Sequence, residues 1–339
     1  FLLVKLNQRE EIKMDKRKVI VDCDPGIDDA LAIILALKSK EIEVIGITTV
    51  SGNVKSLQGA KNALKVLKLL GRLDIPVYLG ESKPIKRELV TAQDTHGEDG
   101  LGETFLEEVS SEYIRENSVD FILNTLKNHE NVSIIALGPL TNLCRAIEKD
   151  SETFHRVKEI VSMGGAYKSH GNCSPVAEFN YWVDPHGARE FLKKFNGEFT
   201  MVGLDVTREI VLTPNLREMI HQFKDEIGDF IYDITRFYVD FHWEQERTLG
   251  CVINDPLAVE YFINRELCEG FKAYVDIACE DISMGQSVVD VADFYKKRKN
   301  VFVLDKVNSK EFMVSFLNKI FPSHKEDIKN VLNNPKYGI

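Results

Sequence analysis

The sequence predicts an α/β fold, a single domain with a mainly parallel central sheet flanked by helices, and three observations carry that prediction. From Lys18 onward, short runs of β-branched and aliphatic residues alternate with longer amphipathic runs, the rhythm of strand–helix–strand units. The strand-like runs are apolar throughout instead of alternating, as in strands covered on both faces. Clusters rich in Asp, Asn and Glu fall just past the carboxyl ends of these runs, where parallel sheets bind ligands.

Taken in order, residues 18–22 read as a buried strand, 28–37 as a helix and 42–49 as the next strand. Residues 56–70 read as a helix, with Leu57, Ala60, Leu64 and Leu67 at the spacing of one apolar face. Further strands are expected at 77–79, 132–137, 159–163 and 199–204. No Pro/Gly-rich hinge or repeat divides the chain, so one domain is expected over residues 18–339, preceded by an extension over residues 1–17. A start at Met14 would make residues 1–13 upstream sequence. Three stretches break the rhythm, 81–103, 167–182 and 216–250, and connections this long in a compact domain are usually functional. In the last, Phe223, Ile227, Phe230, Ile231, Ile234 and Phe237 follow helical spacing and suggest a lid over a pocket.

Composition narrows the function classes. Lysine and arginine total 43 against 53 acidic residues, a net charge of −10, which repels polyphosphate and anionic lipid unless a local basic stripe intervenes. No such stripe is read, so neither nucleic acid nor a membrane is an expected partner. The apolar run at 30–37 is far shorter than the ~20 residues a membrane span needs. Residues 1–4 are apolar but Lys5 follows at once, unlike a secretory signal. The six cysteines include no CxxC pair, which argues against structural zinc and a disulfide scaffold and for a reduced, cytoplasmic setting.

The sharpest local signal is Asp22-Cys23-Asp24-Pro25-Gly26-Ile27-Asp28-Asp29, four carboxylates within eight positions at the end of the first strand. Helix capping accounts for one or two of them. Four crowded carboxylates raise one another's pKa unless a cation relieves them, and hard oxygen ligands select Ca²⁺ or Mg²⁺ over zinc or copper. Pro25-Gly26 is suited to a sharp turn, with the glycine free to take positive φ, that aims Asp24 and Asp29 at one pocket. Equivalent strand ends carry Asn53, Gly138-Pro139-Leu140-Thr141-Asn142, Met163-Gly164-Gly165, Asp205 and Asn254-Asp255, while the long loops carry residues 94–102 and Glu178-Phe179-Asn180. A pocket full of carboxylates with few basic side chains suits a neutral polyol better than a phosphate ester. Carboxylates also stabilise an oxocarbenium-like transition state, so cleavage of a glycosidic bond is the reaction these residues suggest.

The first motif closely resembles the N-terminal signature of the nucleoside hydrolases, the inosine-uridine preferring family, and Asn53, residues 94–100, Gly138–Asn142, Met163–Gly165, Asn172, Glu178–Asn180 and Asp255 follow in that family's order over about residues 18–260. The resemblance implies Ca²⁺-dependent hydrolysis of the N-glycosidic bond of ribonucleosides in nucleoside salvage, by a homodimer or homotetramer. It implies Asp24 as calcium ligand and general base on a calcium-bound water, with Asp29, Asp255 and the Leu137 carbonyl as the other ligands. Asp28, Asn53, Asn172, Glu178, Asn180 and Asp255 would hold the ribose hydroxyls, Met163 would pack near the sugar, and His96 would line the base side.

One position departs from the family's pattern. Well-studied members carry a histidine immediately before the last calcium-binding aspartate, and here that position is Asn254. A neutral amide is not a general acid near pH 7, so activation of the leaving base is expected from the lid, through His242, Tyr238 or Trp243. Two other readings compete: a haloacid-dehalogenase-like Mg²⁺ phosphatase, from the DxD pattern at Asp22 and Asp24, and a catalytically weak nucleoside-binding homologue. The continuation Pro25-Gly26-Ile27-Asp28-Asp29 does not fit the first, and intact Asp24, Asp29 and Asp255 speak against the second.

Overall fold

A computed structural model describes residues 16–334. Its strands are β1 (Arg17–Cys23), β2 (Ile42–Thr49), β3 (Val77–Leu79), β4 (Ile114–Arg115), β5 (Val132–Ala136), β6 (Ile160–Met163), β7 (Phe199–Val202), β8 (Val211–Leu212), β9 (Cys251–Val252), β10 (Cys268–Ile277), β11 (Ser287–Asp290) and β12 (Val301–Val307). Ten of them form one sheet in the order β11-β10-β12-β7-β6-β5-β1-β2-β3-β4, while β8 and β9 make a separate antiparallel ribbon. Within the sheet only β10 runs against its neighbours. Most of residues 1–17 lie outside the described residues; the last of them, Arg17, begins β1.

Alternation along the central strands shows why the sheet is covered twice. Val19 and Val21 of β1 and Ile135 of β5 join one apolar cluster, whereas Ile20, Ile134 and Ala136 join the other. Helices Ile27–Lys38, Asp255–Ile263 and Ser309–Ile320 cover the first face through Leu31, Leu257 and Phe312. Helices Ser118–Asn128, Thr141–Lys149 and Pro185–Lys194 cover the second through Ile122, Leu143 and Phe191. Each such side chain contributes roughly 1.5–3 kcal/mol by leaving water. Helix Ile27–Lys38 is buried from Ile27 through Ala36, because it packs on the helix Asp255–Ile263 as well as on the sheet. A helix enclosed on all sides reads as apolar all round, as this one does from Ala30 to Leu37, beyond the two carboxylates of its first turn.

The topology fixes where a ligand can sit. From β1 the chain moves to β2, β3 and β4 on one side, and later strands β5, β6 and β7 lie on the other. The crevice beyond the carboxyl ends of β1 and β5 is therefore the switch point of the sheet, the usual ligand site of open α/β folds.

Several expectations need correction. The helical spacing expected within residues 216–250 extends further than Phe223–Phe237, since the stretch comprises most of Pro214–Gln222 and all of Glu226–Glu246. Leu57 is half exposed, because the buried stripe of its helix runs through Ala60, Ala63, Leu64 and Leu67. Gly26 has φ −99°, so its value lies in clearance instead of positive φ: a Cβ there would sit 2.7 Å from His96 Nδ1 and 3.0 Å from Asn53 Nδ2. A short basic run, Lys296, Lys297, Arg298 and Lys299, is exposed on the β11–β12 connection, contrary to the expectation of no local basic stripe.

Candidate active site

Beyond the ends of β1 and β5 lies a cavity of about 350 Å³, within the size range of small-molecule sites. Its floor is acidic. Asp28 and Asp255 line the cavity, and Asp24 and Asp29 lie fully buried beneath it. One oxygen each of Asp28, Asp29 and Asp255 falls within 4.8 Å of the others. Asp29 accepts from the Asp24 N–H at 3.2 Å, the Gly26 N–H at 3.0 Å and Asn53 Nδ2 at 3.0 Å, so it is Asp29 that caps the first helix. Asp24 Oδ2 accepts from the Asn53 N–H at 2.6 Å, while Asp24 Oδ1 is buried without a partner. The backbone closes tightly on this carboxylate: a Cβ on Gly52 would lie 2.0 Å from Oδ2, and one on Gly138 2.6 Å from Oδ1.

Burial dominates the electrostatics. It lifts Asp24 well above the ordinary carboxylate range, with the negative charge of Asp29 adding to it. Asp255 is lifted in the same way by burial, then by Asp28 and Asp29. Asp29 rises to about 7 through burial and the charge of Asp28, against its backbone donors. Buried oxygen donors held together at this cost, one of them unpartnered, fit a hard divalent cation. The structure gathers Asp28, assigned above to the ribose, into the same oxygen cluster as Asp29 and Asp255, and it aims Asp24 at the Leu137–Gly138 backbone from below.

The loop after β6 supplies one wall. Glu178 caps helix Phe179–Val183, its carboxylate accepting from the N–H groups of Asn180, Gly165 and Tyr181, and burial raises it to about 7 against these donors. Asn180 Nδ2 donates to the Leu137 carbonyl at 2.6 Å and to the Met163 carbonyl at 3.2 Å, tying the ends of β5 and β6 together. Leu137 and Met163 both line the cavity. Asn172 stands at the rim, its side-chain oxygen engaged by the Phe179 N–H.

Helix Glu226–Glu246 supplies the opposite wall with Tyr238, Phe241 and His242. His242 Nδ1 donates to the Tyr238 carbonyl at 2.8 Å, which leaves Nε2 bare in the neutral ring, and burial lowers its pKa. His96 adopts the complementary tautomer: its Nδ1 accepts from the Ile27 N–H at 3.1 Å, so Nε2 carries the proton. Burial lowers the His96 pKa too. The two imidazoles flank the Tyr238 ring at 5.2 and 4.4 Å. Trp243 does not line the cavity; it is 47% exposed and carries Arg247 on its face. Asn254 lines the cavity, joined to Asp28 and Tyr238.

Over residues 19–314 the chain matches the family model described as inosine-uridine preferring nucleoside hydrolase. The chain belongs to that family. Among its relatives, the inosine-uridine preferring nucleoside hydrolase of Leishmania major is 37% identical over 84% of this chain and 90% of that protein. Uridine nucleosidase 1 of Arabidopsis thaliana is 34% identical over 80% of this chain and 82% of its own length. The purine-preferring ribonucleoside hydrolase of Gardnerella vaginalis superposes with a TM-score of 0.84, at 32% identity over 91% of this chain and 99% of that one. As a nucleoside hydrolase family member the chain has the α/β fold that its sequence predicts.

Other polar residues of this nucleoside hydrolase fold serve as scaffolding, Asp22 of the first motif among them. Asp22 accepts from Thr48 Oγ1 and Asn142 Nδ2, and Asn142 also accepts from the Glu81 N–H. Asp99 takes the N–H groups of Leu101, Glu103 and Phe105, and Asp205 those of Tyr167, Lys168 and Ser169. Their short spacing to glycines was the available signal, but each holds a loop whose position depends on the rest of the fold.

Proposed function

We propose that this protein hydrolyses the N-glycosidic bond of ribonucleosides to ribose and free base. The observation that carries the reading is the charge of the cavity. Asp28, Glu178 and Asp255 line it with Asp24 and Asp29 beneath, while Arg208, the one lysine or arginine among its described lining residues, is engaged by Glu246 and His170. Such a site disfavours a phosphate ester and welcomes a neutral sugar that gains positive charge in the transition state.

Asp24, Asp29, Asp255 and the Leu137 carbonyl would hold Ca²⁺, with the oxygen of Asp28 beside them. The cation, when bound, keeps these carboxylates ionised and orders and acidifies water. Asp24 Oδ1, without a protein partner, accepts the proton of the attacking water as its oxygen bonds to C1′ and the C1′–N bond breaks. Asp28, Asn53, Asn172, Glu178, Asn180 and Asp255 orient the ribose hydroxyls, and Met163 packs against the sugar. His96 faces the base. The base leaves with the bonding pair and takes up a proton, for which His242 is the protonable group on that wall. Its lowered pKa leaves little of the acid form at neutral pH, so good leaving groups are favoured. Nucleoside salvage in the cytoplasm, by a homodimer or homotetramer, is the setting we infer; the six cysteines are all free.

The test is incubation with inosine, uridine and p-nitrophenyl phosphate, with and without chelator. Release of free base and ribose, abolished by chelator and restored by Ca²⁺, is expected. Hydrolysis of the phosphate ester alone would overturn the reading.

A further inference from the structure

Arg208 stands where three segments meet at the rim of the cavity. Its backbone ends the short helix Leu204–Thr207 that follows β7, and its guanidinium touches both walls. On one side Nη1 donates to His170 Nε2 at 2.7 Å and Nη2 donates to the Gly171 carbonyl at 3.1 Å. On the other, Nη2 pairs with Glu246 Oε1 at 3.0 Å. His170 is set to accept, because its own Nδ1 donates to the Gly171 carbonyl at 2.8 Å and leaves Nε2 bare in the neutral ring.

These contacts gain meaning from their neighbours in the chain. Gly171 precedes Asn172, which the reading above places on the ribose, and Glu246 lies one helical turn past His242, the protonable group on the base side. Arg208, Glu246, Asn172 and His242 all line the cavity. Among the described residues, no hydrogen bond or ion pair runs directly from helix Glu226–Glu246 to residues 164–183, so Arg208 is what links the two walls at the rim. The same turn of chain steadies the start of that loop, since Asp205 accepts from the N–H groups of Tyr167, Lys168 and Ser169. An isolated ion pair on a surface contributes little. Here the paired side chains are only 21% and 25% exposed, and one planar fork fixes three partners together.

We infer that Arg208 is a positioning residue that sets the spacing between the wall carrying Asn172 and Glu178 and the wall carrying Tyr238 and His242, and thereby how tightly ribosides are held. This inference rests on the proposed nucleoside hydrolysis. A spacing device acts on the bound ground state and the transition state alike, so its loss shows in KM more than in kcat. A contact that only stabilises the fold would instead lower Tm or the active fraction, hence kcat, and leave KM where it was.

The experiment measures kcat and KM for inosine and p-nitrophenyl riboside in the wild type, Arg208→Met, Arg208→Lys, Glu246→Met and the variant carrying both methionines, with amide hydrogen exchange of each protein free of ligand. Arg208→Met is expected to raise KM for both ribosides roughly tenfold, a mid-range effect for residues in one ion-pair network, with kcat changed by less than about threefold. Glu246→Met gives a similar rise and the double variant no larger one, because the bridge breaks only once. Arg208→Lys keeps a charge for Glu246 but lacks the fork, so its KM falls between those of the wild type and Arg208→Met. In Arg208→Met exchange quickens in residues 168–172 and 243–247 together, a readout that needs no riboside. An unchanged KM in a folded Arg208→Met overturns the inference, as do additive effects of the two methionines, a wild-type KM in Arg208→Lys, or exchange that quickens in only one of the two segments. Should Arg208→Met fail to fold, Arg208→Lys and Glu246→Met carry the same comparison. Absence of turnover on every riboside by the wild type would instead overturn the reading as a hydrolase, and exchange alone then decides whether Arg208 joins the walls.

Discussion

Stripping divalent cations should make the stability of this protein fall as pH rises from about 5.5 to about 7, and adding Ca²⁺ should oppose that fall. Asp29 carries the argument: its folded-state value is about 7 against an unfolded value of 3.8, because it is buried beside Asp28. Between those two values the folded state holds a proton that the unfolded state has lost. Stability from this group is thus complete below the unfolded value, declines as pH rises and is fully lost once pH passes about 7. From about pH 5.5 to 7 the loss is roughly 1.5 × 1.36, or about 2 kcal/mol, which at about 2 °C per kcal/mol for a chain of this size is about 4 °C in Tm. Asp22 and Glu178, both raised to about 7 by burial, act in the same direction. Ca²⁺ at a hundredfold over its Kd adds about 2.7 kcal/mol, and because it needs ionised carboxylates the gain should be larger at about pH 8 than at 5.5. Thermal melts of chelator-treated protein across this range, with and without Ca²⁺, measure both. A Tm that stays flat or climbs in the stripped protein, or a Ca²⁺ gain greater at low pH, would refute the reasoning.

Three further outcomes are expected. Asp24→Asn should preserve far-UV circular dichroism and lower kcat on any riboside by about 10²–10⁴, the loss typical of a general base; a near-normal rate would remove Asp24 from the chemistry. Gly52→Ala drives a Cβ to 2.0 Å from Asp24 Oδ2 and 2.9 Å from the Pro139 ring, so it should cost about 1–3 kcal/mol in a melt and depress turnover; wild-type values for both would show that the clasp around Asp24 is loose. 2′-Deoxynucleosides should be poorer substrates than ribonucleosides by roughly 10⁴ in kcat/KM, since a missing hydroxyl strands buried partners, and comparable values would detach the ribose from its assigned residues.

How much of this was legible in the sequence depended on which environment each segment meets. β1, β2 and β3 were readable nearly to the residue, because strands enclosed on both faces stay apolar along their length. β10 was not, since a half-solvated margin mixes Lys272 and Asp276 with Ala273 and Val275, and β12 offers only the four-residue apolar run Val301–Leu304 before Asp305 and Lys306. Spacing placed Leu57 on an apolar stripe but could not show where the neighbouring element ends. The floor of the pocket was legible because four carboxylates in eight positions have few structural uses. Its walls were less so: His242 was as consistent with a surface position as with the buried one it occupies, and Trp243, one residue on, turns away. A one-residue step along a helix rotates the side chain by about 100°, and only the packed neighbours say which side is inward.

The two walls and the floor of the pocket have different architectural origins. The floor and the Glu178 wall hang from the ends of sheet strands, but helix Glu226–Glu246 is suspended from the small β8–β9 ribbon, outside the main sheet. The ribbon is anchored beside the sheet end by the Ile253 N–H on the Ile210 carbonyl, just ahead of Asn254 and Asp255. Residues 213–250 therefore form one insertion between the two strands of the ribbon, packed into the main core through Leu216, Ile220, Ile231 and Ile234. A chimaera that takes this segment from a relative would alter the surface that meets the base while leaving the carboxylate floor on its original strands, and because it also exchanges His242 and the Tyr238 hydroxyl that donates to Asp28, base selectivity and leaving-group activation would change together.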